Sequence, residues 1–92
     1  WAKNIISVGG IRHYNTLDTS DDRWANGAST GPAIDGRIKP DVHYWYDSIY
    51  TTTTGGYTSG FGGTSAATPD VAGVLGLMYQ MWSPFRFWST YW

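Results

Sequence analysis

Gly62-Gly63-Thr64-Ser65-Ala66-Ala67-Thr68-Pro69, running on into Asp70-Val71-Ala72-Gly73-Val74-Leu75-Gly76-Leu77-Met78, decides how this chain is read. Two glycines give way to a pair of hydroxyls, then to small side chains and an apolar run, the pattern of a loop feeding a helix. Pro69 and Asp70 suit the first turn of such a helix, where a missing N–H is harmless and a carboxylate meets the positive end of the dipole. Pro84 is the expected stop, which gives a helix from Thr64 and Ser65 to Trp82. Between Val71 and Trp82 only Gln80 is clearly polar. A helix apolar all round has to be covered on every side. Gly73 and Gly76 would admit a second backbone at close range, at a cost in helix propensity.

The start of this helix has a chemical reading. A serine hydroxyl is a poor nucleophile and needs a base to take its proton and donors to hold the oxyanion that forms. At a helix N-terminus, Ser65 has unpaired backbone N–H groups beside it and a positive dipole end beneath it. Gly62 and Gly63 would let a substrate backbone approach without Cβ collisions. Ala66 and Ala67 are small enough to leave space over the hydroxyl. The bland alternative for Ser65 is an ordinary N-cap.

Upstream of that segment, Asn4-Ile5-Ile6-Ser7-Val8 reads as a short buried strand closed by a Gly9-Gly10 turn. Residues 12–36 are polar, with turns at Gly31-Pro32 and Asp35-Gly36. An excursion of about twenty-five residues is uncommon in a compact domain unless it works or is anchored by neighbours. Val42 to Trp45 begins a second apolar stretch, and Ser48-Ile49-Tyr50-Thr51-Thr52-Thr53-Thr54 reads as a strand from its β-branched residues. Gly55-Gly56, Gly60 and Gly62-Gly63 follow as a glycine-dense approach to Ser65. Three strands and a long loop are too little to wrap the helix, so the sequence is expected to be a piece of a larger fold. Trp1 in place of Met points the same way.

Composition narrows the classes. Six Lys+Arg against seven Asp, with no Glu, leave a net charge of −1, and no basic stripe suits nucleic acid. Hydrophobic residues make up 41% of the 92, too many for a disordered segment. The twelve residues from Val71 to Trp82 are too few for a membrane span. Without Cys, neither a disulfide framework nor a thiolate metal site is open to the chain. Gly60-Phe61-Gly62 lacks the third glycine of a dinucleotide fingerprint, and no Lys follows as a phosphate loop requires. Gly-x-Ser-x-Gly does not occur, which excludes an α/β-hydrolase elbow.

Gly63-Thr64-Ser65-Ala66-Ala67-Thr68-Pro69 with Val71-Ala72-Gly73 resembles the serine-nucleophile signature of the subtilisin-like serine peptidases, the subtilases. Three more stretches resemble that family in order and spacing: Ala2-Lys3-Asn4-Ile5-Ile6-Ser7-Val8-Gly9; Ser29-Thr30-Gly31-Pro32 with Asp35-Gly36-Arg37-Ile38-Lys39-Pro40-Asp41-Val42; and Ile49-Tyr50-Thr51-Thr52. The resemblance spans residues 2 to about 82. It implies an α/β fold, here a partial subtilisin-like one with parallel strands and a buried central helix opening near Ser65. It also implies a polypeptide substrate, Ser65 as nucleophile with its own N–H in the oxyanion hole, and Thr64 as a weaker support. The family's chain order of Asp, then His, then Ser places the triad Asp, the triad His and the oxyanion Asn before Trp1. The missing partner is then the N-terminal half of the same catalytic domain. An exported, extracellular protein is implied as well.

The sequence departs from the family's pattern at several places. His43-Tyr44-Trp45 stands where Ala-Pro-Gly is usual. Asp70 follows the motif proline in place of a His or an apolar residue, and Ala66 replaces an oxidisable Met. Residues 1–82 are expected to be the C-terminal portion of the catalytic domain. Residues 83–92, Ser-Pro-Phe-Arg-Phe-Trp-Ser-Thr-Tyr-Trp, have no counterpart and read as a truncated or aberrant tail.

Other residues invite sharper readings. His13 and His43 are candidates for the base, against the family order; the bland readings are an exposed loop imidazole and a partly buried one. Asp41 reads as a turn or strand-edge carboxylate. Asp18, Asp21 and Asp22 could hold calcium, as subtilases often do, but no ligand loop of the EF-hand kind is present and a solvated loop is expected. No cofactor and no metal ligand is otherwise expected. Two further readings of the chain stay open: a catalytically dead homologue, or a carbohydrate- or peptide-binding module that stacks ligands on Trp24, Tyr44, Trp45 and Tyr46.

Overall fold

The computed structural model describes residues 3–89. In chain order it contains β1 (Val8–Ile11), β2 (Val42–Trp45), β3 (Ile49–Thr53), β4 (Gly56–Phe61) and α1 (Thr64–Ser89). It is a partial subtilisin-like α/β arrangement of two small sheets and one long helix.

β1 and β2 are parallel, with Val8 opposite Val42 and Ile11 opposite Trp45. Parallel neighbours need a crossover of a dozen or more residues, and the long polar excursion supplies it. The excursion is tied down internally: Arg12 and Arg23 exchange backbone hydrogen bonds at 2.9 and 3.2 Å. Asp18 accepts from the Ser20 amide at 2.9 Å and the Trp24 indole donates to the Ala28 carbonyl at 3.0 Å. Its return is locked by Asp41, whose carboxylate accepts the Ser7 amide and hydroxyl, both at 2.8 Å, and Lys39 Nζ at 2.6 Å.

Gly9 and Gly10 lie inside β1 and do not form the expected turn. The reason is space. A Cβ on Gly9 would stand 2.6 Å from the His43 ring and from Pro40, and one on Gly10 would stand 2.7 Å from the Tyr46 ring. Each is closer than a real Cβ contact allows, so glycine is what lets β2 and the residue after it lie against β1.

The glycine-dense approach contains a fourth strand that the sequence reading did not anticipate. β3 and β4 form an antiparallel hairpin around Thr54-Gly55, with Thr53 opposite Gly56 and a register irregularity between Ile49 and Thr51. Gly55 takes φ +87°, the left-handed conformation a tight hairpin turn demands. Tyr50 and Tyr57 stack on its surface, ring centroids 5.5 Å apart.

α1 differs from expectation at both ends. It begins at Thr64, so Pro69 falls in the second turn and no acidic residue occupies the first. It also continues through Pro84 to Ser89. A proline there lacks the N–H that would bond to the Gln80 carbonyl; the loss of that bond does not end the helix. The expected aromatic tail from residue 83 is thus helical as far as Ser89, and residues 90–92 lie outside the described residues.

The core is small. Ala28, Tyr46, Ala66 and Ala67 are buried, and Val8 and Tyr44 pack against the Ala28–Tyr46–Ala67 cluster. Among the described residues, cover is confined to the first turns of α1, which lie against β1 and β2. The body of the helix, expected to be enclosed, is exposed among the described residues: Val74, Leu77, Met78, Tyr79, Met81 and Trp82 all face outward. The smallness of the chain is the physical reason, since two two-stranded sheets cannot wrap 26 helical residues.

Candidate active site

The segment before α1 is pinned from below. Gly63 has φ +86° and donates its amide to the Tyr46 carbonyl at 2.7 Å. A Cβ on Gly62 would stand 2.7 Å from that same oxygen. These glycines thus have an internal task, packing the loop onto Tyr46, whatever approaches them from outside. Gly63 then caps the helix, its carbonyl accepting the amides of Ala66 at 2.8 Å and Ala67 at 3.4 Å. The amides of Thr64 and Ser65 precede the first helical hydrogen bond, and among the described residues no backbone acceptor engages them.

Ser65 is exposed and Thr64 half-buried. Among the described residues, no hydrogen bond engages Ser65 Oγ. The Thr64 carbonyl accepts Thr68 Oγ1 at 2.7 Å. Ala66 and Ala67 do not leave space over the hydroxyl as expected: they are 1% and 0% exposed and sit beneath it in the core. Their small size lets the helix end press onto Tyr46. The result is a free hydroxyl beside free amides, held on a buried footing.

The two histidines exchange their expected environments. His13 is half-buried and fully engaged: Nε2 donates to the Asp47 carbonyl at 2.6 Å and Nδ1 accepts the Asn15 amide at 3.1 Å. Asp47 in turn accepts the amides of His13 at 2.8 Å and Tyr14 at 3.1 Å. With Nε2–H engaged by Asp47 and Nδ1 accepting from Asn15, His13 has no lone pair to offer a serine. His43 is exposed on β2.

The carboxylates are committed elsewhere. The Lys39 ammonium and the Ser7 amide and hydroxyl hold the Asp41 carboxyl well below the ordinary carboxylate range. Hydrogen bonds from Ser20 lower Asp18. Asp21 accepts the Thr16 hydroxyl at 3.1 Å, and Asp22 accepts the Trp45 indole at 3.0 Å. Among the described residues no three His, Cys, Asp or Glu side chains converge as a metal set. Trp24, Tyr44, Trp45 and Tyr46 form no shared platform either: Tyr46 is buried, and the Tyr44 and Trp45 rings are tilted at 49°. A groove of about 320 Å³ lies between Ile5, Val8 and the 29–40 loop, and neither Ser65 nor its glycines line it.

Ser65 thus stands exposed at a glycine-preceded helix start. The family model described as the subtilase family matches residues 1–90. The chain belongs to the subtilase family. This subtilase is 29% identical over 93 residues to the serine protease AprX of Bacillus subtilis strain 168. The match takes in 86% of the chain but only 21% of that relative, so the chain spans about a fifth of the protein it resembles. No solved structure matches it. Among the described residues no helix is long and apolar enough to cross a membrane.

Ser65 and Thr64 are legible in the sequence, but neither Tyr46, which grips the turn before them, nor Asp47, which engages His13, is. The sequence offers Tyr46 only as a stacking surface, and gives Asp47 no role. Both follow a strand with no motif of their own. The one legible hint was the doubled Gly62-Gly63, which signals close backbone contact without saying with what.

Proposed function

We propose that this chain carries the nucleophile of a serine endopeptidase, with Ser65 forming an acyl-enzyme on polypeptide substrates. The observation that carries the reading is the exposed Ser65 hydroxyl beside Thr64 and Ser65 amides that no backbone acceptor among the described residues engages, within the segment that matches the subtilase family. A histidine upstream takes the Ser65 Oγ proton as the oxygen attacks the scissile carbonyl, and an upstream Asp orients that histidine. The Ser65 N–H and an upstream Asn hold the oxyanion, with Thr64 as a secondary support. The tetrahedral adduct collapses, the leaving amine takes the proton from the histidine, and water then hydrolyses the acyl-enzyme. Gly62 and Gly63 flank the approaching substrate backbone. The chemistry needs no cofactor.

The proposal includes the N-terminal half of the catalytic domain as partner. The exposed apolar body of α1 supports it, because a stripe from Val74 to Trp82 is more apolar surface than a soluble domain leaves uncovered. Export from the cell belongs to the same reading. In isolation, the 92 residues lack a base for Ser65 and are expected to be inactive.

A fluorophosphonate probe tests both halves. The protein with its upstream segment should label stoichiometrically at Ser65 and lose labelling in Ser65→Ala, while the 92-residue chain alone should not label. Rapid labelling of the isolated chain would contradict the need for upstream residues. Labelling that persists in Ser65→Ala would remove Ser65 from the chemistry.

A further inference from the structure

Tyr46 touches the Ser65 turn in two ways and the crossover loop in a third. Its carbonyl accepts the Gly63 amide at 2.7 Å, two residues before Ser65. Its ring shares the buried cluster with Ala67, two residues after Ser65, and with Ala28 of the loop. Its hydroxyl donates towards the carbonyls of Ala25 at 3.0 Å and Asn26 at 3.2 Å, and accepts Arg12 Nε–H at 3.1 Å. The Tyr46 amide donates to the Ile11 carbonyl at 3.0 Å, and Gly10 is what leaves room for the ring.

Tyr46 is therefore fixed from β1 and from the loop, and it passes that constraint to both sides of Ser65. Nothing else described grips the Gly63 amide. A backbone at φ +86° has many glycine conformations to choose from, so the single N–H···O bond to Tyr46 selects the one that aims Thr64 and Ser65.

We propose that Tyr46 is a positioning residue for Ser65, setting the nucleophile and its oxyanion amide through the Tyr46 carbonyl and ring. The proposal rests on the nucleophile reading of Ser65. An oxyanion donor works only when it lies about 3 Å from the developing charge, and a misplacement of about 1 Å can cost on the order of a hundredfold in rate. Tyr46 touches neither substrate nor reacting atoms; its effect is carried entirely by the turn it holds.

The test uses the protein with its upstream segment, following fluorophosphonate acylation and the steady-state hydrolysis of a peptide substrate. Tyr46→Leu should lower the acylation rate and kcat by about tenfold or more, with KM within about twofold of the unaltered value. Tyr46→Phe keeps ring and carbonyl and should restore the rate to within about threefold. Val8→Ala loosens the same core without altering Tyr46 itself, and should lower the thermal midpoint with a smaller loss of kcat per labelled serine than Tyr46→Leu. Should the Leu variant not fold, Tyr46→Met, unbranched and more adaptable in shape, carries the same expectation. A Leu or Met variant that acylates at the unaltered rate overturns the proposal alone. Losses equal to those of Val8→Ala at the same thermal midpoint overturn it as well. Failure of the unaltered protein to label overturns the nucleophile reading, and the positioning role with it.

Discussion

The two ends of α1 are built from the same kind of residue and live in opposite surroundings. Ala67 in the first turn is 0% exposed, whereas Leu77 three turns on is 63% exposed. Burial at the first end comes from fit: small side chains let the helix settle on Tyr46 and Ala28 while Gly63 is tied beneath. Further along, the larger side chains of Leu77, Met78 and Trp82 are exposed among the described residues. Hydrophobicity thus states what a segment needs, and contact with a scaffold states whether the need is met. The anchored end carries the exposed Ser65 hydroxyl, and the exposed body is the surface that the proposed upstream half would cover.

The largest expected effect separates the ends chemically. Ser65→Ala, in the protein with its upstream segment, should reduce peptide hydrolysis by several orders of magnitude with stability nearly unchanged, measured by initial rates and by thermal melting. Next comes the unanchored end. Leu77→Ala should cost less than about 0.5 kcal/mol in the 92-residue chain, but about 2–5 kcal/mol once the upstream half covers it. Equal small losses in both, by denaturant titration, would mean that the helix body is never enclosed.

Ala67→Leu addresses the anchored end and should destabilise by about 1–3 kcal/mol in either setting, because a fully buried site cannot take the added volume. Gly73→Ala should change sign between the settings. In the 92-residue chain its Cβ would meet nothing within 4 Å, so the substitution should stabilise by about 0.5–1 kcal/mol. Against a closely approaching second backbone it should destabilise instead. A gain in both settings would show that no backbone comes near that face.

The smallest effect lies where β1 and the returning crossover meet. The folded Asp41 carboxyl titrates below an unfolded one, which lies near about 3.9. Its contribution is therefore complete above that pH and is lost as pH falls towards the folded value. Melting followed from neutral pH downwards should show Asp41→Asn less stable at neutral pH, its acid limb shallower, and the difference between the proteins shrinking as pH falls through the acid range. A difference that persists unchanged through the acid range would assign the effect to lost packing.

Much of this was legible beforehand, and the reasons differ from residue to residue. The Ser65 turn could be read because a nucleophile at a helix start needs a local constellation, and local constellations survive in linear text. The β3 strand could be read from its β-branched run. Its partner β4 could not, since a glycine-rich strand carries little propensity and is made by pairing. Gly9 and Gly10 suggested a turn because glycine usually serves conformation; here it serves proximity to His43, Pro40 and Tyr46. Pro69 and Pro84 suggested a start and a stop, but one missing hydrogen bond does not outweigh the rest of a 26-residue helix. His13 looked exposed because its neighbours are polar, while the bonds that bury it come from Asp47, thirty-four positions away.

What the linear order of residues decided was chemistry and need: a serine-centred signature, an apolar helix, no cysteine, no strong charge. Those are properties of side chains and short spacings, independent of where the rest of the chain goes. What only the folded molecule decided was support: which glycine yields to which ring, which carbonyl receives the Gly63 amide, which carboxylate closes the crossover. These depend on pairs far apart in sequence, and no local preference encodes a contact whose energy exists only when both partners have arrived.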